Sequence, residues 1–506
     1  MSKSKQKHIV IVGAGPGGLT SAMILSHRGF KVTVLEAKAQ VGGRNAALQL
    51  GPYTFDTGPT FLMLKDVLDE VFSESGTSTS AELETPRLDP MYRLAFTDRH
   101  LDASTDPVKM KEAIAACFPG HGHEYDRFFK QEKHRFKKLF PCLQKSYHKP
   151  STMLHRDLIN AIPSLALGKS LFDIMFKIYG DEKLALSFTF QSKYLGMSPW
   201  ECPGLFAMIP YIEHAYGIFH VTGGLSRISD AMADVAKRNG AVVHCNRPVK
   251  KVLVKGRTAV GVEMEDGEKI EADEVILNAD FGHAATHLFD PGVLRKYTPE
   301  KMKKTKYSCS TFMLYLGLDK AYPLPHHTIF FAENYRSNVD AIFKGDRLSD
   351  DISFYIRNSV VTDKTVAPEG HSALYVLVPA PNLRGAPDWS SETAAFRENV
   401  LSKVESRGGM KDIRQHIVAE KVITPMDWQD DYHCYAGATF NLAHNMGQMI
   451  IWRPRNQFEE LDRCYLVGGG THPGSGLPTI YESGRIAANL ISRKHDVVFV
   501  SGNLEV

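Results

Sequence analysis

The chain has 506 residues, enough for a large core and two or more domains. Its 60 Lys+Arg against 57 Asp+Glu leave a formal charge of +3, which gives no global signal for nucleic acid or for an acidic partner. Seven scattered cysteines (Cys117, Cys142, Cys202, Cys245, Cys309, Cys434, Cys464) hold no C-x-x-C pair, so neither a metal site nor a disulfide framework is expected, and no apolar run of about 18 residues predicts a spanning helix.

Residues 1–7 are polar and basic, without the apolar stretch of a secretory signal. His8–Val12 reads as a short apolar strand. Gly13, Gly15 and Gly18 follow in G-x-G-x-x-G spacing, 19–27 has helical periodicity, and 31–36 reads as a second strand ending in the acid Glu36. Each part suits a dinucleotide. Gly13 permits a tight turn, Gly15 lets backbone approach a pyrophosphate, and Gly18 lets helix and strand pack closely. The helix N-terminus offers free N–H groups to the anion, and Glu36 stands where an acid can accept the ribose hydroxyls. The motif alone does not choose between NAD and FAD. Gly42-Gly43-Arg44 comes next, with bare backbone to approach a cofactor and a guanidinium to meet a pyrophosphate or a flavin edge. Residues 51–60 read as a turn-rich loop after a short strand, and 73–80 as an exposed loop.

Residues from about 84 to 215 read as more helical. Within them, 127–145 mixes Phe128, Phe129, Phe136, Leu139 and Phe140 with Arg127, Lys130, Lys133, Arg135, Lys137 and Lys138, and 158–177 adds more apolar side chains. Such a mixture is either an interfacial helix or an amphipathic core helix with a solvated basic face. Residues 188–194 and 211–219 carry aromatic side chains that could line a channel or fill a core. Residues 218–285 return to an α/β pattern: Gly223-Gly224 before a helix ending near Arg238, strands at 241–245, 249–254, 258–264 and Glu274–Leu277, then Asn278-Ala279-Asp280. Residues 305–450 are mainly strand-like, with members at 311–318, 328–331, 352–356 and 373–378 and a helix at 391–407. The last segment, 464–495, is again strand, glycine turn, helix. A helix beginning near Pro478 would point its positive end at a cofactor and stabilise the negative charge of a reduced flavin.

The run GAGPGGL (13–19), Glu36 with Gly42-Gly43-Arg44, FDTGPT (55–60), NAD (278–280) and GGGTHPGSGLP (468–478) together resemble bacterial-type phytoene desaturases. These are carotenoid desaturases of the flavin-containing amine oxidase superfamily, and the resemblance covers essentially the whole chain. It implies an α/β fold: a discontinuous Rossmann-like FAD-binding domain (1–72, 218–285, 455–495) with an inserted mixed α+β substrate and membrane-associated domain (84–217, 286–454). It also implies FAD, with Gly13, Gly15, Gly18, Glu36, Gly43 and Arg44 on the ADP and pyrophosphate side, Val249 on the adenine side, and Gly470, Leu477 and Pro478 at the flavin-side turn. No second G-x-G-x-x-G is present, which points to oxygen or a quinone rather than NAD(P) as electron acceptor. The implied reaction is introduction of double bonds into a C40 or C30 polyene by hydride transfer to flavin. Such a substrate implies a protein that is cytoplasmic and peripheral on a membrane surface. No conventional acid–base pair is required; His472 and Arg485 are the catalytic candidates. The alternatives are an isomerase, terminal oxidase or saturase on the same fold, an amine oxidase, or a non-catalytic flavin- or polyene-binding protein.

Overall fold

A computed structural model describes residues 6–501 except 148, 154, 346 and 386, so the first five residues of the 1–7 segment lie outside it. Five strands, His8–Val12, Lys31–Leu35, Val242–His244, Glu274–Leu277 and Cys464–Leu466, form one parallel sheet. Glu274–Leu277 lies on one side of His8–Val12 and Lys31–Leu35 on the other; Cys464–Leu466 and Val242–His244 take the edges. The strands come from the beginning, middle and end of the chain. Parallel neighbours need long connections, and here two of them have grown into large insertions.

Apolar residues run unbroken in the central strand because both its faces are covered. Ile9 and Ile11 pack with the helices Pro16–His27, Ser226–Arg238 and Leu477–Lys494, which lie side by side. Val10 and Val12 face the opposite way, against Val252 and Val262 of a three-stranded antiparallel sheet. Helix Pro16–His27 begins directly after Gly15, three residues earlier than periodicity suggests, because Pro is well suited to a first helical turn.

A second, seven-stranded sheet is made by Ile417–Ile423, Ser310–Leu318, Ser372–Ala380, Phe354–Asn358, His327–Phe330, Tyr92–Ala95 and His100–Ala103, in that order. Residues alternate across it. Phe312, Leu314 and Leu316 pack under Trp389, Phe396 and Val400 of the helix Trp389–Arg407, while Thr311 and Met313 face a large cavity. Two of these strands depart from the sequence expectation, and a third lies in the strand-like 305–450 without being singled out there. Tyr92–Ala95 and His100–Ala103 lie in the stretch read as helical and are four residues each, too short to show a period; Ile417–Ile423 is a partly exposed edge strand.

The helices between residues 65 and 143 decide one open reading and correct another. In the helix Glu124–Leu143 the side chains of Phe128, Phe136, Leu139 and Phe140 are buried, so its aromatic face belongs to the core. Arg135 is buried too, with Nε 2.6 Å from Glu132 Oε2, and is not part of the solvated basic face. Residues 73–80 are not simply an exposed loop: they connect the helices Lys65–Glu74 and Thr79–Glu82, and Ser75 and Thr79 are buried.

Candidate functional site

A single cavity of about 1150 Å³ runs from the C-terminal edge of the parallel sheet to the seven-stranded sheet. Its first part is walled largely by backbone. Gly13 has φ +96° and takes a hydrogen bond from Asn278 Nδ2 (3.2 Å) on its carbonyl. A Cβ on Gly15 would lie 2.7 Å from Asn278 Nδ2, and one on Gly43 would meet only Gly15 Cα, at 3.7 Å. These glycines thus leave a cleft that any side chain would fill, which fits the approach of a pyrophosphate. The long helices Pro16–His27 and Leu477–Lys494 both begin at this cavity, at Gly15 and Gly476, without a side-chain cap. Their free N–H groups suit a ligand carrying negative charge.

Glu36 stands just past the second strand, buried but lining the cavity. Its Oε2 accepts from Ala14 N–H (2.7 Å) and its Oε1 from Lys38 N–H (2.9 Å). Each oxygen keeps a lone pair for a ribose hydroxyl. Arg44 donates from Nη1 to Thr439 O (2.7 Å) and sits 3.9 Å from Asp280 Oδ2. Burial pushes the Asp280 carboxyl up, against the pull of Arg44 and of three backbone N–H groups. Val249, Leu477 and Pro478 also line the cavity.

Beyond this region the walls become apolar: Phe61, Met63, Phe190, Ile329, Phe331 and Leu377. Phe61 stacks on His327 at 4.2 Å, and Tyr355 accepts or donates a 2.6 Å hydrogen bond with His327 Nδ1. Burial holds His327 well below the usual imidazole range, so it is neutral. Among the described residues Lys193 is the one lysine of the apolar walls; its Nζ lies over the rings of Phe343 (5.3 Å) and Tyr335 (5.6 Å), and burial pulls it down to about 8. Of the two aromatic stretches, 188–194 contributes Phe190, Lys193 and Tyr194 to the wall. Residues 211–219 contribute none: Tyr211 and Tyr216 pack on Phe136 in the helical lobe.

Four residues singled out from the sequence do not reach the cavity. Gly18 is packing space, since a Cβ there would lie 2.3 Å from Gly13 O. Gly470 is also packing space, with a Cβ at 2.4 Å from Phe281 Cβ; the neighbouring Gly468 and Gly469 border the cavity instead. His472 is buried against Tyr147 (5.1 Å, edge on), and burial pulls its imidazole down to about 4. Arg485 is buried in an ionic cluster: Nη2 lies 2.7 Å from Glu482, Nη1 3.3 Å from Glu74, and Glu70 also pairs with it. It ties the last helix to Lys65–Glu74. Neither His472 nor Arg485 is placed to touch a reacting atom. Sequence reading missed Asn278 as the contact shared by Gly13, Gly15, Gly17 and Gly18, although its NAD context was visible.

A glycine cradle with two helix N-termini, opening into an apolar chamber, fits a dinucleotide cofactor beside a hydrophobic compound. Residues 16–492 match the family model of flavin containing amine oxidoreductases. The chain is 53% identical over 493 residues (97% of this chain, 96% of the other) to a 4,4'-diapophytoene desaturase (4,4'-diapolycopene-forming) of Methylomonas sp. It is 37% identical over 505 residues (96% and 94%) to an all-trans-zeta-carotene desaturase of Myxococcus xanthus. An oxidoreductase from Methanosarcina mazei shares the fold, with a TM-score of 0.62, 18% identity, and coverage of 94% of this chain and 99% of that one. The chain belongs to the flavin-containing amine oxidoreductase family and, within it, to the bacterial carotenoid desaturases: it is an FAD-dependent oxidoreductase.

Proposed function

We propose that the protein desaturates an acyclic C30 polyene related to 4,4'-diapophytoene, with oxygen or a quinone as the final electron acceptor. The observation that carries the proposal is the continuity of the cavity from a backbone-walled cradle into an apolar, aromatic chamber. Its volume of about 1150 Å³ exceeds the roughly 300–1,000 Å³ of ordinary ligand pockets, as a site for a cofactor and a long hydrocarbon would. The identity to a 4,4'-diapophytoene desaturase supports C30 over C40. FAD, when bound, supplies the two-electron acceptance that removing two hydrogens requires. The chain's own work is to hold FAD, to align the hydrocarbon and to keep water out. Gly13, Gly15, Glu36, Gly43, Arg44 and Val249 would hold the ADP end, and Leu477 and Pro478 the flavin end, with Gly18 and Gly470 giving the clearance. In this reading 1–72, 218–285 and 455–495 act as the cofactor domain and the two insertions as the substrate domain.

No helix among the described residues is long and apolar enough to cross a membrane. The substrate is nevertheless a membrane hydrocarbon, so the protein would dock on a bilayer. The buried face of Glu124–Leu143 is not available for this. The exposed Ile159, Ile162, Leu167 and Phe176, with the outward Lys130, Lys133, Lys137 and Lys177 nearby, are the better surface.

The test is product analysis after FAD-loaded protein is incubated, without NAD(P), with vesicles carrying either 4,4'-diapophytoene or phytoene. Red-shifted polyenes losing two hydrogens per step, formed faster from the C30 compound, are expected. Equal or faster use of phytoene would overturn the C30 assignment; an oxygenated or merely isomerised product would favour the oxidase or isomerase. Replacing Leu167 and Phe176 by Ser should lower sedimentation with anionic vesicles, and unchanged sedimentation would move the docking surface elsewhere.

A further inference from the structure

Arg453 is among the largest fully buried side chains of the protein, at 0% exposure. Its five N–H groups meet five backbone carbonyls: Nε to Thr471 (3.0 Å), Nη1 to Ala443 (3.4 Å) and Gln448 (3.2 Å), and Nη2 to Leu442 (3.2 Å) and Gly469 (2.6 Å). No carboxylate lies within 4.0 Å of it among the described residues. Carbonyl dipoles satisfy the donors, but they do not cancel the charge.

The groups around it offer no anion either. His444 and His472 are both held neutral by burial. Asp280 is occupied by Asn441 Nδ2 (2.5 Å) and by Arg44, and Glu482 by Arg485. Burial lowers the Arg453 guanidinium to about 9, which leaves it charged at neutral pH. A full positive charge therefore sits beneath the turn at 468–470, and Gly468 and Gly469 of that turn wall the cavity. The uncapped N-terminus of Leu477–Lys494 borders the same cavity with partial charge of the same sign. Leaving two positive features together without an anion is costly, unless the ligand brings the negative charge.

We propose that Arg453 is a positioning residue that acts through the 468–470 turn to balance the negative charge of reduced FAD. The inference rests on the FAD-dependent desaturation above. There the polyene loses one hydrogen as hydride and the neighbouring one as a proton. The hydride carries both electrons to FAD, the proton leaves to water, and one negative charge stays on the cofactor. A fixed cation under the turn is in place before that anion forms, stabilises it, and so makes FAD a stronger oxidant.

Full-length, FAD-loaded protein tests this with sulfite, which adds to oxidised flavin to give an anion, and with dye-equilibrated redox titration. Arg453→Met should raise the sulfite Kd at least tenfold and shift the reduction equilibrium at least tenfold, about 30 mV for a two-electron couple. Arg453→Lys keeps the charge with fewer donors and should retain most of both, even where its Tm falls. A purely structural arginine would lower Tm in both variants and leave sulfite affinity and potential unchanged, which overturns the proposal. Should Arg453→Met fail to fold, the wild type decides: sulfite binding no tighter than to free FAD overturns it, and tight binding that survives in Arg453→Lys sustains it. A wild-type chain that takes up no FAD would instead refute the cofactor reading, and this inference with it.

Discussion

The cradle and the chamber share one cavity but are built differently. The cradle is backbone: Gly13, Gly15 and Gly43 matter because they carry no side chain, and Glu36 mainly accepts N–H groups. The chamber is side chain: Phe61, Phe190, Ile329, Phe331 and Leu377 come from separate segments, and each contributes only apolar bulk. Binding a pyrophosphate needs free N–H groups at fixed places, and few residue types permit that. Binding a hydrocarbon needs dry, shaped volume, and many sequences supply it.

The difference is broken most severely at Gly18. A Val there would press its Cβ into Gly13 O, 2.3 Å away, and no flexible neighbour can yield. Overpacking against backbone costs at least about 1–3 kcal/mol, so Gly18→Val should purify without FAD and with a lower Tm. Normal flavin absorbance in that variant would refute the packing role. Glu36→Ala strips the acceptor from the buried Ala14 N–H and from Lys38 N–H, and an unsatisfied buried donor costs about 1–3 kcal/mol. FAD affinity should fall tenfold or more, read by titration of the stripped protein; unaltered affinity would end the ribose assignment.

On the chamber side, Glu213 is buried and accepts from Gln191 Nε2 (2.7 Å) and Tyr92 OH (3.0 Å). Burial pushes its carboxyl up to about 7, despite these hydrogen bonds. The unfolded group titrates near about 4.3, so the folded state binds the extra proton in between. Its stabilisation is complete below about pH 4 and is lost as pH rises through 7, on the order of 3 kcal/mol. Glu213→Gln should therefore flatten the stability profile from pH 5 to 8 and leave FAD content unchanged. Parallel unfolding curves for variant and wild type would contradict this. The smallest effect on stability is expected at Phe61, which is only partly buried. Phe61→Ala should retain FAD and stability to within about 1 kcal/mol but change the distribution of desaturated products on chromatography. An unaltered distribution would remove Phe61 from the substrate path.

The same contrast explains what could be read in advance. Strands such as His8–Val12 and Glu274–Leu277 are apolar runs bounded by turns, and the helix Pro16–His27 follows a glycine turn, so local signals located them. Tyr92–Ala95 and His100–Ala103 gave no such signal, because pairing is what makes them strands: the first with His327–Phe330, the second with the first. Phe128 and Phe136 sat in a pattern that fits both a membrane face and a core, and only their neighbours decide. His472 and Arg485 stand in or beside the most specific motif, yet the folded chain turns both away from the cavity.

By itself the sequence determined the family, the cofactor class and the parallel-sheet framework. Those depend on glycines, an acid and apolar periods at short spacing, where backbone sterics act within a few residues. Only the tertiary structure decided which glycines border the cavity, which aromatics wall it, and that Arg453 lies uncompensated beneath its turn. Burial and charge pairing are sums over neighbours distant in the chain, and no local spacing encodes them.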